Sequence, residues 1–206
     1  MARKVVICRH NSNGYHTTVS RSSIVMKTAR ILVTLDCNRN CSYCCNKNLE
    51  QYNYARVLSL ERLNDYDEFV LSGGEPLLNP KRTINIIKYL KEEYPLTPIY
   101  LYTQTWVKGM RKILSMVDGL TYTIHHPSTK NDGLNFYCTQ IGVQDTGITA
   151  RLNVMDGVDT GSIVYRLDSK VWDKIRIVPV LECCPLPEHE DLLVLDTTID
   201  LKRKGI

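Results

Sequence analysis

With 206 residues, the chain is sized for a single domain whose folding removes roughly 70% of the unfolded surface from water. Hydrophobic residues at 43% and charged residues at 23% exclude disordered, collagen-like and coiled-coil classes. The balance of 26 Lys and Arg against 22 Asp and Glu, net +4, is too mild to imply a nucleic-acid partner.

In chain order, Lys4 to Cys8 and Tyr15 to Ser20 flank the turn-rich Asn11-Ser12-Asn13-Gly14, which predicts a hairpin. The apolar run Val5 to Cys8 falls far short of a signal-peptide core or a membrane span, so the expectation is a cytoplasmic protein with no membrane partner. Six β-prone runs then alternate with longer mixed stretches: Ile31 to Leu35, Glu68 to Leu71, Ile99 to Thr103, Leu120 to Ile124, Ile148 to Val154 and Lys174 to Val180. That alternation is the pattern of βα units on a parallel sheet. Between the second and third runs, Pro80 to Tyr94 spaces Ile84, Ile87 and Leu90 helically, with Asn79 as the cap and Pro95 as the stop. Weaker helical patterns cover Leu58 to Leu63, Val107 to Val117 and Ser162 to Trp172. Ser128 to Gly147 reads as largely irregular, and Leu192 to Leu201 as β-prone. The expectation is an α/β chain: one domain over 1–206, with a barrel-like core over about 31–180, an N-terminal extension 1–30 and a C-terminal extension 181–206.

Eight cysteines in a cytosolic chain point to metal or redox chemistry rather than to disulfides. Cys37, Cys41, Cys44 and Cys45 crowd together, whereas Cys8, Cys138, Cys183 and Cys184 are scattered. Cys37-Asn38-Arg39-Asn40-Cys41-Ser42-Tyr43-Cys44 spells CxxxCxxC directly after the first strand candidate. Three thiolates suit a four-iron cluster with one iron left open, while structural zinc needs four ligands and would have to recruit Cys45 or a distant group. Cys138, Cys183 and Cys184 could ligate a second cluster, but scattered free cysteines are ordinarily small buried hydrophobes. Cys45 reads as a stray ligand or a reactive thiol or, more simply, as a residue packed against the loop.

The loop CNRNCSYC resembles the cluster loop of the radical S-adenosylmethionine (radical SAM) superfamily, with Tyr43 at the aromatic place before the third cysteine. Ser72-Gly73-Gly74-Glu75-Pro76, closing the second strand candidate, resembles the superfamily's GGEP segment. The resemblance implies a partial (β/α)6 barrel with a parallel sheet, and a 4Fe-4S cluster held by Cys37, Cys41 and Cys44. S-adenosylmethionine (SAM) would chelate the open iron, with Gly73, Gly74 and Glu75 holding its amino group and Tyr43 placing its adenine. Arg151 and Asn153 are the expected polar contacts to the rest of SAM. Reductive cleavage would yield a 5'-deoxyadenosyl radical that abstracts hydrogen from substrate, the electron coming from a donor such as flavodoxin or ferredoxin. On this reading Gly74→Val leaves iron bound and impairs SAM binding.

His125 and His126 end the fourth strand candidate, where strand-end position favours an acid, base or carboxylate-binding role and the plain alternative is a hydrogen-bonded histidine shaping the loop. Asp132 and Gly133 fall in the long stretch behind them, as cover for the site or as plain turn. The chain departs from the small subfamilies it resembles. Cys45 and Asn46 stand where the deazaguanine synthase has its Asp and Thr, and Thr123-Ile124-His125 stands near the activases' DxK. The substrate expected is a small biosynthetic molecule, or a partner protein, at the open barrel mouth. The alternatives are an activase that installs a glycyl radical and, in a different class, a noncatalytic zinc or redox-sensing module. A zinc module has no use for GGEP.

Overall fold

The computed structural model describes residues 26–44, 55–57, 63–125, 129, 131–158, 167–180 and 188–195. The expected N-terminal hairpin, His126, Cys8, Cys45, Cys183 and Cys184 lie outside them, as does most of Leu58 to Leu63.

The β-branched and aromatic runs form strands β1 (Thr28–Thr34), β3 (Glu68–Gly73), β4 (Ile99–Thr103), β5 (Gly119–Ile124), β6 (Thr149–Met155) and β7 (Lys174–Val178). They line up side by side in that order, every neighbouring pair parallel. All six therefore point their carboxyl ends to one edge, where ligand sites of parallel α/β architectures form. Two more strands extend the sheet beyond β1: β8 (Glu190–Leu195) runs parallel to β1, and the short β2 (Ala55–Val57) runs parallel to β8. The segment expected as a β-prone C-terminal extension thus belongs to the sheet. Among the described residues the result is an α/β fold on an eight-stranded parallel sheet with β2 and β7 as its outermost strands.

Side chains alternate across a strand, and here one face is almost purely apolar. Ile31, Val33, Phe69, Leu71, Ile99, Leu101, Leu120, Tyr122, Ala150 and Leu152 join the helices in a single core. Helix α1 (Pro80–Glu93) supplies Ile86, Ile87 and Leu90 to it. Asn79 Oδ1 accepts from Arg82 N at 3.1 Å, Pro80 occupies the first turn where no N–H is needed, and Tyr94 N closes on Leu90 O ahead of Pro95. Asn79→Ala removes that cap and is expected to cost about 1 kcal/mol, lowering the Tm by about 2–4 °C in a thermal melt.

Helix α2 (Met110–Leu114) is a short remnant of the expected Val107 to Val117, and of Ser162 to Trp172 the described part holds only a 3-10 turn at Ser169–Val171. The largest difference is α3 (Asp132–Val143), in the stretch expected to be irregular. Its composition, with Gly133, Asn135 and Gly142, is poor for helix, and tertiary contacts override the propensity. Phe136 stacks on Trp172 with centroids 6.0 Å apart, and Gln140 Oε1 accepts from Trp172 Nε1 and Asp168 N. Gly142 lies under the Trp106 ring, where a Cβ would come within 2.2 Å of it. No helix among the described residues is long and apolar enough to cross a membrane.

Candidate active site

The cysteine loop leaves β1 at Thr34, on the carboxyl edge of the sheet. Thr34 Oγ1 accepts from Asp36 N at 3.1 Å, and Cys44 N closes a turn on Cys41 O. Cys37, Cys41 and Cys44 all carry free thiols, Cys37 exposed and the other two half-buried. Desolvation raises the Cys37 thiol above its ordinary pKa against a backbone hydrogen bond from Arg39, and the charges of Glu75, Cys44 and Cys41 add to the rise.

Among the described residues no three His, Cys, Asp or Glu groups converge on a point suited to a single metal ion. A 4Fe-4S cluster takes each thiolate on a separate iron, so an all-thiol set on one loop fits it chemically.

The GGEP segment packs directly against this loop. Gly74 N donates to Thr34 O at 2.6 Å and Glu75 N to Asp36 O at 2.8 Å. The approach is so close that a Cβ on Gly74 would sit 1.9 Å from Asp36 O, and one on Gly73, at φ +135°, 2.2 Å from Thr34 O. Both glycines are thus required by the junction of β1 and β3 itself. Glu75 is turned inward and only 1% exposed. Its Oε1 accepts from Thr103 Oγ1 at 2.6 Å and Leu77 N at 3.0 Å, and its Oε2 from Gln104 N at 3.0 Å. Burial raises its pKa, against the pull of these three donors. The carboxylate ties the end of β3 to the end of β4.

Gln104 carries the tie onward. Its backbone carbonyl accepts from Tyr122 Oη at 2.9 Å, and its side-chain Nε2 donates to Asn38 Oδ1 at 2.7 Å inside the cysteine loop. Beside Asn38, Arg39 Nη1 lies 2.9 Å from both carboxylate oxygens of Asp132 and 3.3 Å from Gln104 Oε1. Arg39 and Asp132 bury their side chains to 7% exposure each, and Asp132 also accepts from the backbone N and Oγ1 of Thr129. Of these, the sequence reading reaches Asp132 only as cover for the site or plain turn, and gives Arg39 and Gln104 no part in orienting the cysteine loop.

At the end of β5, His125 meets the loop from the other side. Its Nδ1 lies 3.2 Å from Tyr43 Oη and 3.9 Å from Cys41 Sγ, and its ring stacks on Tyr43 with centroids 6.1 Å apart. Burial first, then the Arg39 charge, lowers its pKa to about 4, so it is a neutral imidazole at pH 7. Cys41, Tyr43 and His125 therefore form one contact group. Arg151 and Asn153 sit on β6, in register with Thr121 and Thr123 of β5 and with Lys174 and Arg176 of β7. Arg151 lays its guanidinium 4.9 Å over the Tyr100 ring, on the sheet face opposite the apolar core. Cys138 is on α3, away from the other described cysteines in sequence and half-buried.

Comparison with known proteins bears on this edge of the sheet. A family model described as a 4Fe-4S single cluster domain matches residues 28–136, from β1 through the cysteine loop and GGEP into α3. A Methanocaldococcus jannaschii protein described as a candidate glycyl-radical enzyme activating enzyme is 25% identical over 142 residues, covering 57% of this chain and 38% of that protein. The chain thus spans well under half the length of this curated relative. The solved structure of BtrN in complex with AdoMet and 2-DOIA aligns with 77% of this chain and 73% of its own, at 18% identity and a TM-score of 0.43. Because the family match takes in more than half of the chain and all three cysteines of CxxxCxxC, the protein belongs to the 4Fe-4S single cluster domain family and, with its GGEP segment, to the radical SAM superfamily.

Proposed function

We propose that the chain is an enzyme that reductively cleaves SAM and delivers the resulting radical to an external substrate at the carboxyl edge of the sheet. The observation that carries this reading is the packing of GGEP onto the cysteine loop, through Gly74 N to Thr34 O and Glu75 N to Asp36 O. A bound cluster would pass one electron from an external donor to SAM, whose cleavage to methionine and a 5'-deoxyadenosyl radical would supply the hydrogen-abstracting group. Cys37, Cys41 and Cys44 hold the cluster, and the chain orients their loop through Asn38, Arg39 and the Glu75 network. Tyr43 and the neutral His125 form one wall beside Cys41, while Gly73 and Gly74 present backbone to SAM. Asn153 and Arg151 supply polar contacts from β6. The cytoplasm remains the proposed location, with flavodoxin or ferredoxin as electron donor.

For the substrate, a small biosynthetic molecule is the first reading. A second is a glycine of a partner protein, favoured by the description of the Methanocaldococcus jannaschii relative. Anaerobic reconstitution with iron and sulfide, then dithionite and SAM, is expected to give 5'-deoxyadenosine by liquid chromatography with mass detection. Cys41→Ala is expected to reduce that product to background. Product formation by Cys41→Ala at the unsubstituted rate would defeat the assignment of the loop. A glycyl-radical signal in electron paramagnetic resonance (EPR), carried by a second protein, would move the substrate from small molecule to protein.

A further inference from the structure

The ion pair between the cysteine loop and α3 has a charge consequence for the cluster that its packing role alone does not require. Arg39 lies between Cys37 and Cys41 in the loop, its guanidinium is 2.9 Å from both carboxylate oxygens of Asp132, and its charge and that of a Cys41 thiolate act on one another. Both partners of the pair are nearly excluded from water, so salt screens their fields weakly. Asp132 and Gln104 contact the Arg39 guanidinium directly, while the Cys41 sulfur and the His125 ring lie within reach of its charge. Arginine does not lose its proton in proteins, so this is a fixed positive charge against one sulfur ligand.

We propose that Arg39 is a positioning residue that sets the reduction potential of the cluster, and that Asp132 trims its effect. The inference rests on the proposed function above for the presence of the cluster. Taking up one electron makes a cluster one unit more negative. A guanidinium held against Cys41 stabilises that added charge and raises the potential, whereas the carboxylate behind it offsets part of the field. The same pair pins the loop to α3, so a purely structural account is the rival. The two accounts differ in sign. If only packing matters, removing either partner loosens the same clamp and moves the potential in one direction. If charge matters, the two removals move it in opposite directions.

The test is an EPR-monitored redox titration of the reconstituted full chain, with iron content measured in parallel. Arg39→Gln is expected to lower the potential by about tenfold in the reduction equilibrium, ~59 mV for a one-electron couple. Asp132→Asn is expected to raise it, and Arg39→Lys, which keeps the charge, to stay near the unsubstituted value. Shifts of equal sign in Arg39→Gln and Asp132→Asn, no shift in either, or loss of iron from both would overturn the charge role. If Arg39→Gln alone loses its iron, Asp132→Asn decides: a raised potential supports the proposal and any other result overturns it. Failure of the unsubstituted chain to take up iron at all would instead be a failure of the radical SAM reading itself.

Discussion

Glu75→Ala is expected to lower the Tm of the metal-free chain by about 5–10 °C, equivalent to ~3 kcal/mol of folding free energy. The carboxylate is 1% exposed and is the acceptor for Leu77 N, Gln104 N and Thr103 Oγ1. Truncation leaves two buried backbone N–H groups without a partner, each costing about 1–3 kcal/mol, while the Thr103 hydroxyl turns to Thr105 O, already 3.4 Å away. Relief of the desolvation that raises the Glu75 pKa offsets part of this. Glu75→Gln keeps the shape but turns an amide NH2 toward one of the donors, so a smaller loss of about 1–2 kcal/mol is expected. Circular dichroism melts of the three proteins check the order. A Tm for Glu75→Ala within about 1 °C of the parent would remove Glu75 from its place as the tie between β3 and β4.

The second large effect concerns Gly74. The sequence reading of Gly74→Val has iron retained and SAM binding lost, because it places a ligand against the glycine. In the structure the direction a side chain would take is filled by backbone: a Cβ would sit 1.9 Å from Asp36 O and 2.7 Å from Leu35 O. Asp36 immediately precedes Cys37, so relieving the clash must displace the first ligand of the loop or the end of β3. The expected outcome is therefore a several-fold loss of iron after reconstitution as well as impaired SAM binding. Full iron content in a folded Gly74→Val chain would show that the junction yields without moving Cys37.

These two cases show which features a linear reading reaches. Strands β1, β3, β4, β5, β6 and β7 were legible because buried parallel strands are short β-branched or aromatic runs, and their parallel pairing followed from the βα alternation. Helix α1 was legible because Asn79, Pro80 and Pro95 punctuate it. Helix α3 was not, since its residues are poor helix formers and its support comes from Trp172 and Trp106, both remote in sequence. In the site, CxxxCxxC and GGEP are local spacings and could be read directly. Arg39 and Asp132 could not be paired, because their contact depends on α3 being a helix that starts at the carboxyl edge beside the loop. Glu75 was found by motif, but its inward direction is set by the ends of β4 and the turn at Pro76–Leu78. The groups that fix that direction are Leu77 N, Thr103 Oγ1 and Gln104 N.

The most direct test of the central claim is whether SAM reaches the cluster. Three cysteine ligands on one loop leave one iron of a four-iron cluster for an outside molecule. The EPR spectrum of the reduced, reconstituted chain should therefore change on adding SAM, with saturation at a finite concentration. The same addition to a preparation of Gly74→Val that has kept residual iron should change it less. A spectrum identical with and without SAM, in a chain carrying a full complement of iron, would contradict the assignment of Cys37, Cys41 and Cys44 to a SAM-binding cluster.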